Sequence, residues 1–169
     1  MSDPAPAPAS RARAGRKIQY LIVHHNGVPG RMLEHIRRTH LAQGWKDVGY
    51  HWVIEESGAV RAGRPEPRAG AHVDSLNANT LGVCVIGNGN VRDFNEDQYK
   101  SLVGLLANLC ERYALPAGAV LGHRETRHLV PRDRATKKTC PGTCVDLNLL
   151  RERVADELDA REHGRAQRV

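Results

Sequence analysis

IQYLIVHH, residues 18–25, is the stretch on which the fold turns. Ile18 to Val23 is almost continuously apolar and rich in β-formers, the pattern of a strand covered on both faces in a chain that alternates strands with helices. Side chains alternate across a strand, so His24 and His25 face opposite ways and only one of them can serve a given site. A second apolar run, Ala119 to Leu121, also delivers a histidine, His123 in LGHRE (121–125), and KKTCPG (137–142) holds Cys140 in front of Pro-Gly. Imidazole nitrogen and thiolate together are what a soft divalent ion takes from a protein. A catalytic zinc uses three such ligands and leaves a fourth position open. His123 and Cys140 supply two, and the histidine pair closing the first strand is the best source of the third.

Working outward from that strand, Gly27 to Gly30 makes a turn. Met32, Leu33, Ile36 and Leu41 then recur at helical spacing, which predicts an amphipathic helix ending near Gly44. Tyr50 to Glu55 and Ala59 to Arg61 read as two strands around the turn Glu56-Ser57-Gly58. GRPEPRAGAHVDSLNANT, from Gly63, is a long loop of the kind that carries function. Leu81 to Ile86 is a further buried strand, closed by GNGN (87–90). Asn95 can cap the next helix with Gln98 reaching back, while Phe94 staples onto Tyr99. Tyr99, Leu102, Val103, Leu106, Leu109, Cys110 and Tyr113 form its inner face up to Pro116. Ala119 to Leu121 is a short strand. The last helix starts at Asp146, turns Leu147, Leu150, Val154 and Leu158 inward, and is expected to fray into a basic tail.

Strands alternating with helices in about 150 residues predict one α/β domain, a central mixed β-sheet flanked by about three α-helices. The expected boundaries are a disordered basic arm over 1–16, the domain over 17–160, and a basic tail over 161–169. With 25 Lys+Arg against 19 Asp+Glu the net charge is +6, which favours anionic partners. Much of the excess sits at the ends, in Arg11, Arg13, Arg16, Lys17, Arg161, Arg165 and Arg168, and reads as a solvated fringe. No window approaches the roughly 20 apolar residues of a membrane span, and residues 1–17 lack the apolar core of a signal peptide. Synthesis in a cytosol is therefore expected, where four cysteines are more often ligands or buried thiols than a disulfide framework. Cys84 and Cys110 read as core residues, and Cys144 as turned into the core. His35, His40, His51 and His128 read as surface or structural, and His25 as bonded to backbone or lying behind a ligand.

VH at a strand end, DVGYH (47–51), GAH followed by LGV, GHRE and KxCPG, in that order, resemble the zinc-dependent N-acetylmuramoyl-L-alanine amidases of type 2. That family includes the peptidoglycan recognition proteins and small phage lysozymes, and the resemblance runs from about Ile18 to Leu158. It implies one zinc ion on His24, His123 and Cys140. Tyr50 matches the residue that contacts the attacking water and the substrate, Lys138 matches a lysine required for catalysis, and His72 falls beside the substrate groove. The groove is expected between the 63–79 loop, Tyr50 and the 124–139 loop. Arg64, Arg68 and Arg124 would draw peptide carboxylates, and Asn79 belongs with the substrate-binding loop, which it holds through backbone bonds. The chain departs from the smallest phage members in the sixteen residues between His123 and Cys140.

The function implied is an endolysin-type amidase, a monomer that cuts peptidoglycan after the membrane is permeabilised. The alternatives are a cytosolic recycling amidase acting on small muropeptides, a peptidoglycan-binding protein without catalysis, and a regulator that binds a polymerase or nucleic acid through its basic ends. The last of these is not favoured.

Overall fold

The computed structural model describes residues 17–167, so the arm expected over 1–16 and the terminal Arg168 lie outside the described residues. Five strands, β1 (Tyr20–His25), β2 (Trp52–Ile54), β3 (Val60–Ala62), β4 (Thr80–Val85) and β5 (Val120–Gly122), form one sheet in the order β3-β2-β4-β1-β5. β1 runs parallel to both β4 and β5, and β2 parallel to β4; only the β2–β3 hairpin is antiparallel. The three α-helices are α1 (Leu33–Ala42), α2 (Glu96–Tyr113) and α3 (Leu147–Ala166). This is the mixed sheet with three helices that strand and helix periodicity predicts.

The two faces of the sheet sort by alternation. Leu21 and Val23 of β1, with Leu81, Val83 and Val85 of β4, pack on Leu102, Leu106 and Leu109 of α2 and on Leu147, Leu150 and Val154 of α3. The opposite face carries Val53 and Cys84 against Leu33 and Ile36 of α1. His24 follows Val23 and so emerges on the α1 side, in register with Cys84. Cys110 is buried in α2, as its inner-face position predicts.

The start of α2 is built as its sequence predicts. Asn95 Oδ1 accepts from the Gln98 amide at 2.8 Å, Gln98 Oε1 accepts from the Asn95 amide at 3.2 Å, and the Phe94 and Tyr99 rings lie 6.0 Å apart. The long loop after β3 is tied down by Glu66. Its carboxylate accepts from Trp52 Nε1 at 2.9 Å, Arg112 Nη1 at 3.0 Å and the Tyr113 hydroxyl at 2.5 Å.

Two expectations fail in instructive ways. α3 does not fray before the basic tail but continues to Ala166, because Arg161 pairs with Glu157 and with Glu111 of α2, and Arg165 pairs with Glu111 at 3.0 Å. Cys144 is exposed rather than turned inward. Its amide is held by the Gly89 carbonyl at 2.9 Å, and the next residue, Val145, takes the buried place.

Candidate metal centre

β1 and β5 are neighbours with Val23 opposite Gly122. The residues one step further on, His24 and His123, therefore leave adjacent parallel strands at the same end and on the same face. Their ring centroids are 4.7 Å apart. Cys140 arrives from the other side, its Sγ 3.6 Å from His24 Nδ1. One ligand atom from each of His24, His123 and Cys140 lies within 4.8 Å of the others.

The cysteine turn is fastened on several sides. The Arg124 amide donates to the Cys140 carbonyl at 2.7 Å, and its guanidinium donates to the carbonyls of Gly142 and Val145. Asn90 Oδ1, from GNGN, accepts from the Thr139 hydroxyl at 2.7 Å and from the Thr143 amide at 3.0 Å. His25 points away from the cluster, as the alternation requires. Its Nδ1 accepts from the Gly89 amide at 2.9 Å, while its own amide donates to Cys140 Sγ at 3.4 Å.

Burial sets the protonation of the three donors. It lowers the His24 pKa well below the ordinary imidazole value, helped by the surrounding histidines and Lys138. It lowers that of His123 to about 4, with Lys138 adding to the effect. Both imidazoles are thus neutral near pH 7, the form that binds metal. The Cys140 thiol is pushed up to about 11 by burial, against the opposing pull of the His25 amide, Lys138 and Arg124. Two neutral imidazoles and a buried thiol that a cation would ionise make a donor set that fits one soft divalent ion.

Above the cluster lies a cavity of about 520 Å³ whose walls include Tyr50, His40, Trp45, His72, Asn90 and Lys138. The Tyr50 ring is 5.1 Å from that of His24 and packs against the buried cluster that includes Cys84. Burial, and then the thiols of Cys84 and Cys140, raise the Tyr50 pKa well above 10, so it keeps its proton. Lys138 is exposed on the cavity wall. His72 stands behind His24, Nδ1 to Nε2, at 3.0 Å.

Among the described residues lining this cavity, Arg64, Arg68, Arg124 and Asn79 are absent. Arg64 donates to the carbonyls of Val48, Ala69 and Asp47. Arg124 holds the cysteine turn. The Arg68 carbonyl accepts from His51 Nε2 at 3.0 Å. Asn79 does brace its loop, through its carbonyl to the Gln19 amide at 2.8 Å and its side chain to Gln19 at 3.4 Å. Residues that sequence reading passed over line the cavity instead. His40 stacks on Trp45 at 4.4 Å and accepts from the Gly49 amide at 3.0 Å, and Asn90 closes the opposite wall. The available signal for Asn90 was the Asn-Gly alternation itself, since Asn side chains readily bond nearby backbone.

Two histidines from the ends of adjacent parallel strands and a cysteine from a turn, meeting on the floor of an open cavity beneath a tyrosine and a lysine, have the constitution of a metal-assisted hydrolase. Residues 14–143 match the family model for N-acetylmuramoyl-L-alanine amidase, and the chain belongs to that family. The endolysin of Escherichia phage T7 is 35% identical over 134 residues, covering 76% of this chain and 79% of the relative. The endolysin of Klebsiella phage KP32 is 33% identical over 157 residues, covering 88% and 94%. Among solved structures, the amidase LysC from Clostridium intestinale superposes with a TM-score of 0.72 at 23% identity, covering 91% of this chain and 94% of its own, a likeness of fold. The protein is an amidase of the peptidoglycan-cleaving kind.

Proposed function

We propose that this chain is an endolysin-type zinc amidase that holds one zinc ion on His24, His123 and Cys140. Its substrate is peptidoglycan, cut at the amide between the lactyl group of N-acetylmuramic acid and the L-alanine of the stem peptide. The observation that carries the reading is the convergence of two imidazole nitrogens and one thiol within 4.8 Å on the floor of an open cavity. When bound, zinc supplies Lewis acidity, polarising a carbonyl and bringing the pKa of water toward about 7.

The chain's own side chains do the rest. Lys138, on the cavity wall, meets the negative charge that develops on the amide oxygen, a contribution typically worth roughly 100- to 1000-fold. Tyr50 is protonated at working pH. Its hydroxyl therefore acts as a donor that orients water or the departing amine, not as a base. His40 and Trp45 form a firm aromatic side to the cavity, which keeps the substrate over the metal ligands. Arg64 and Arg124 are committed to backbone carbonyls, and we assign neither to the peptide carboxylates.

Endolysin relatives support a setting in which the chain reaches the wall once the membrane has been opened, and we propose that it does so as a monomer. No helix among the described residues is long and apolar enough to cross a membrane. The test is metal analysis of the wild type and Cys140→Ala alongside turbidity clearing of purified walls. About one zinc per chain is expected in the first and almost none in the second, on the three-ligand scheme, with clearing lost in the variant. A wild type without zinc, or clearing that survives Cys140→Ala, overturns the reading.

A further inference from the structure

His24 is not the end of the polar network behind the metal centre. Its Nε2 lies 3.0 Å from His72 Nδ1, His72 Nε2 lies 3.4 Å from the Thr80 hydroxyl, and that hydroxyl lies 2.9 Å from the Leu76 carbonyl. Proton directions follow from the far end inward. A carbonyl only accepts, so Thr80 donates its single proton to Leu76. Thr80 Oγ1 can then only accept from His72, which places the His72 proton on Nε2 and leaves Nδ1 a bare lone pair. His24 must fill that lone pair from its own Nε2–H. Its Nδ1 is left without a proton and faces Cys140 Sγ at 3.6 Å.

We infer that His72, anchored by Thr80, is a positioning residue that holds His24 in the one tautomer and ring orientation whose Nδ1 can bind metal. The inference rests on the reading of His24 as a metal ligand.

The surroundings of His72 give its ring few alternatives. A Cβ on Gly82 would lie 2.7 Å from the His72 Cγ and 2.8 Å from its Nδ1, and one on Gly70 would overlap the ring from another side. Two glycines, in β4 and in the loop before it, thus leave the slot in which the imidazole stands. Asn77 Oδ1 fixes the backbone at the same point by accepting from the His72 amide at 2.8 Å. A partner on the far nitrogen of a ligating histidine typically accounts for a 10- to 100-fold difference in metal affinity.

The test compares His72→Phe, which keeps the volume but removes both nitrogens, with His72→Asn, whose Oδ1 can stand in for Nδ1. Zinc affinity is measured by competition with a chelating dye. The His24 tautomer is read in zinc-free protein from long-range ¹H–¹⁵N correlations, with the backbone amide spectrum as the check on folding. Expected are a roughly 10- to 100-fold weaker zinc affinity and a mixed His24 tautomer in His72→Phe, with most of both properties retained in His72→Asn. Wild-type affinity and tautomer in His72→Phe overturn the inference, and so does an equal loss in the two variants. Should His72→Phe not fold, Thr80→Val decides the matter, since it removes the anchor and keeps both rings; an unchanged His24 tautomer there overturns the inference. A wild type that binds no zinc defeats the metal reading, while the zinc-free tautomer still tests the role of His72.

Discussion

Gly142 sets its bare α-carbon against the backbone carbonyl of Gly89, and a Cβ on either residue would overlap main-chain atoms of the other turn. GNGN and the Cys140-Pro141-Gly142 turn are thereby pressed together, with Asn90 bonded across the contact to Thr139 and Thr143. The position of the cysteine depends on this contact as much as on its own turn.

Gly142→Ala should therefore damage both stability and metal retention. Gly142 has φ +126°, which a side chain disfavours, and such strain costs about 1–3 kcal/mol before the overlap is counted. Thermal unfolding and zinc content measure the two effects. Gly164, in α3 with open space around it, is the control: Gly164→Ala should be neutral or stabilising by up to about 1 kcal/mol, with zinc retained.

Lys138→Ala should lower kcat by roughly 100- to 1000-fold. Zinc content should be unchanged, since Lys138 is no ligand in this scheme. Steady-state kinetics on muropeptides and metal analysis check the two halves separately. Cys144→Ser should alter neither, because that thiol is exposed and outside the ligand cluster.

Zinc uptake should release protons in a pattern set by the three donors. Without metal the Cys140 thiol titrates at about 11, so near pH 7 it is protonated and must lose its proton to bind. His123 titrates at about 4 and His24 well below its ordinary value, so near pH 7 neither imidazole has a proton to lose. Calorimetry in buffers of different ionisation enthalpy should give about one proton released per zinc near roughly pH 5.5, rising toward two as the pH passes about 7, where water on the ion would also ionise. Affinity should rise with pH over that window, and more steeply as the pH is taken down toward 4, where His123 also competes for protons. A release of two or more near roughly pH 5.5, below the range in which that water ionises, would show that an imidazole is charged before binding.

Arg64→Ala should weaken the fold and leave substrate affinity alone. The guanidinium donates to the carbonyls of Asp47 and Val48, ahead of β2, and of Ala69 in the long loop, bonds of a charge-assisted kind. Their loss on a partly exposed side chain should cost about 1–2 kcal/mol in chemical denaturation. KM on soluble muropeptides should remain within about twofold of wild type, as expected of a change that touches uniform binding not at all.

Much of this was legible in the amino-acid order, and the failures share a cause. The first strand, the opposed directions of His24 and His25, and the Asn95–Gln98 cap are local consequences of period and side-chain chemistry, and the structure follows them. Arg64 and Arg124 were read for their charge, which points to anionic partners. A guanidinium fork suits carbonyl oxygens equally well, and only tertiary structure decides which it meets. Glu157 and Arg161, four residues apart, are a local sign that the helix continues, but the tie of Arg161 and Arg165 to Glu111, fifty or more residues earlier, is tertiary and no local pattern announces it. His40 and Trp45 sit at the end of α1 and just beyond it, where helical periodicity assigns polar positions to solvent. Here the cavity occupies that place.

His24 and Cys140 stand 116 residues apart in the chain. An ion gripped by both would close a ring of backbone that takes in the sheet, α1, α2 and the long loop, as a clasp closes a bracelet. Closing so long a ring restrains the unfolded polypeptide more than any short chelate could. Stripping the ion should therefore loosen the molecule as a whole and not merely its cavity. A growing polypeptide would also carry no working centre until Cys140 had emerged.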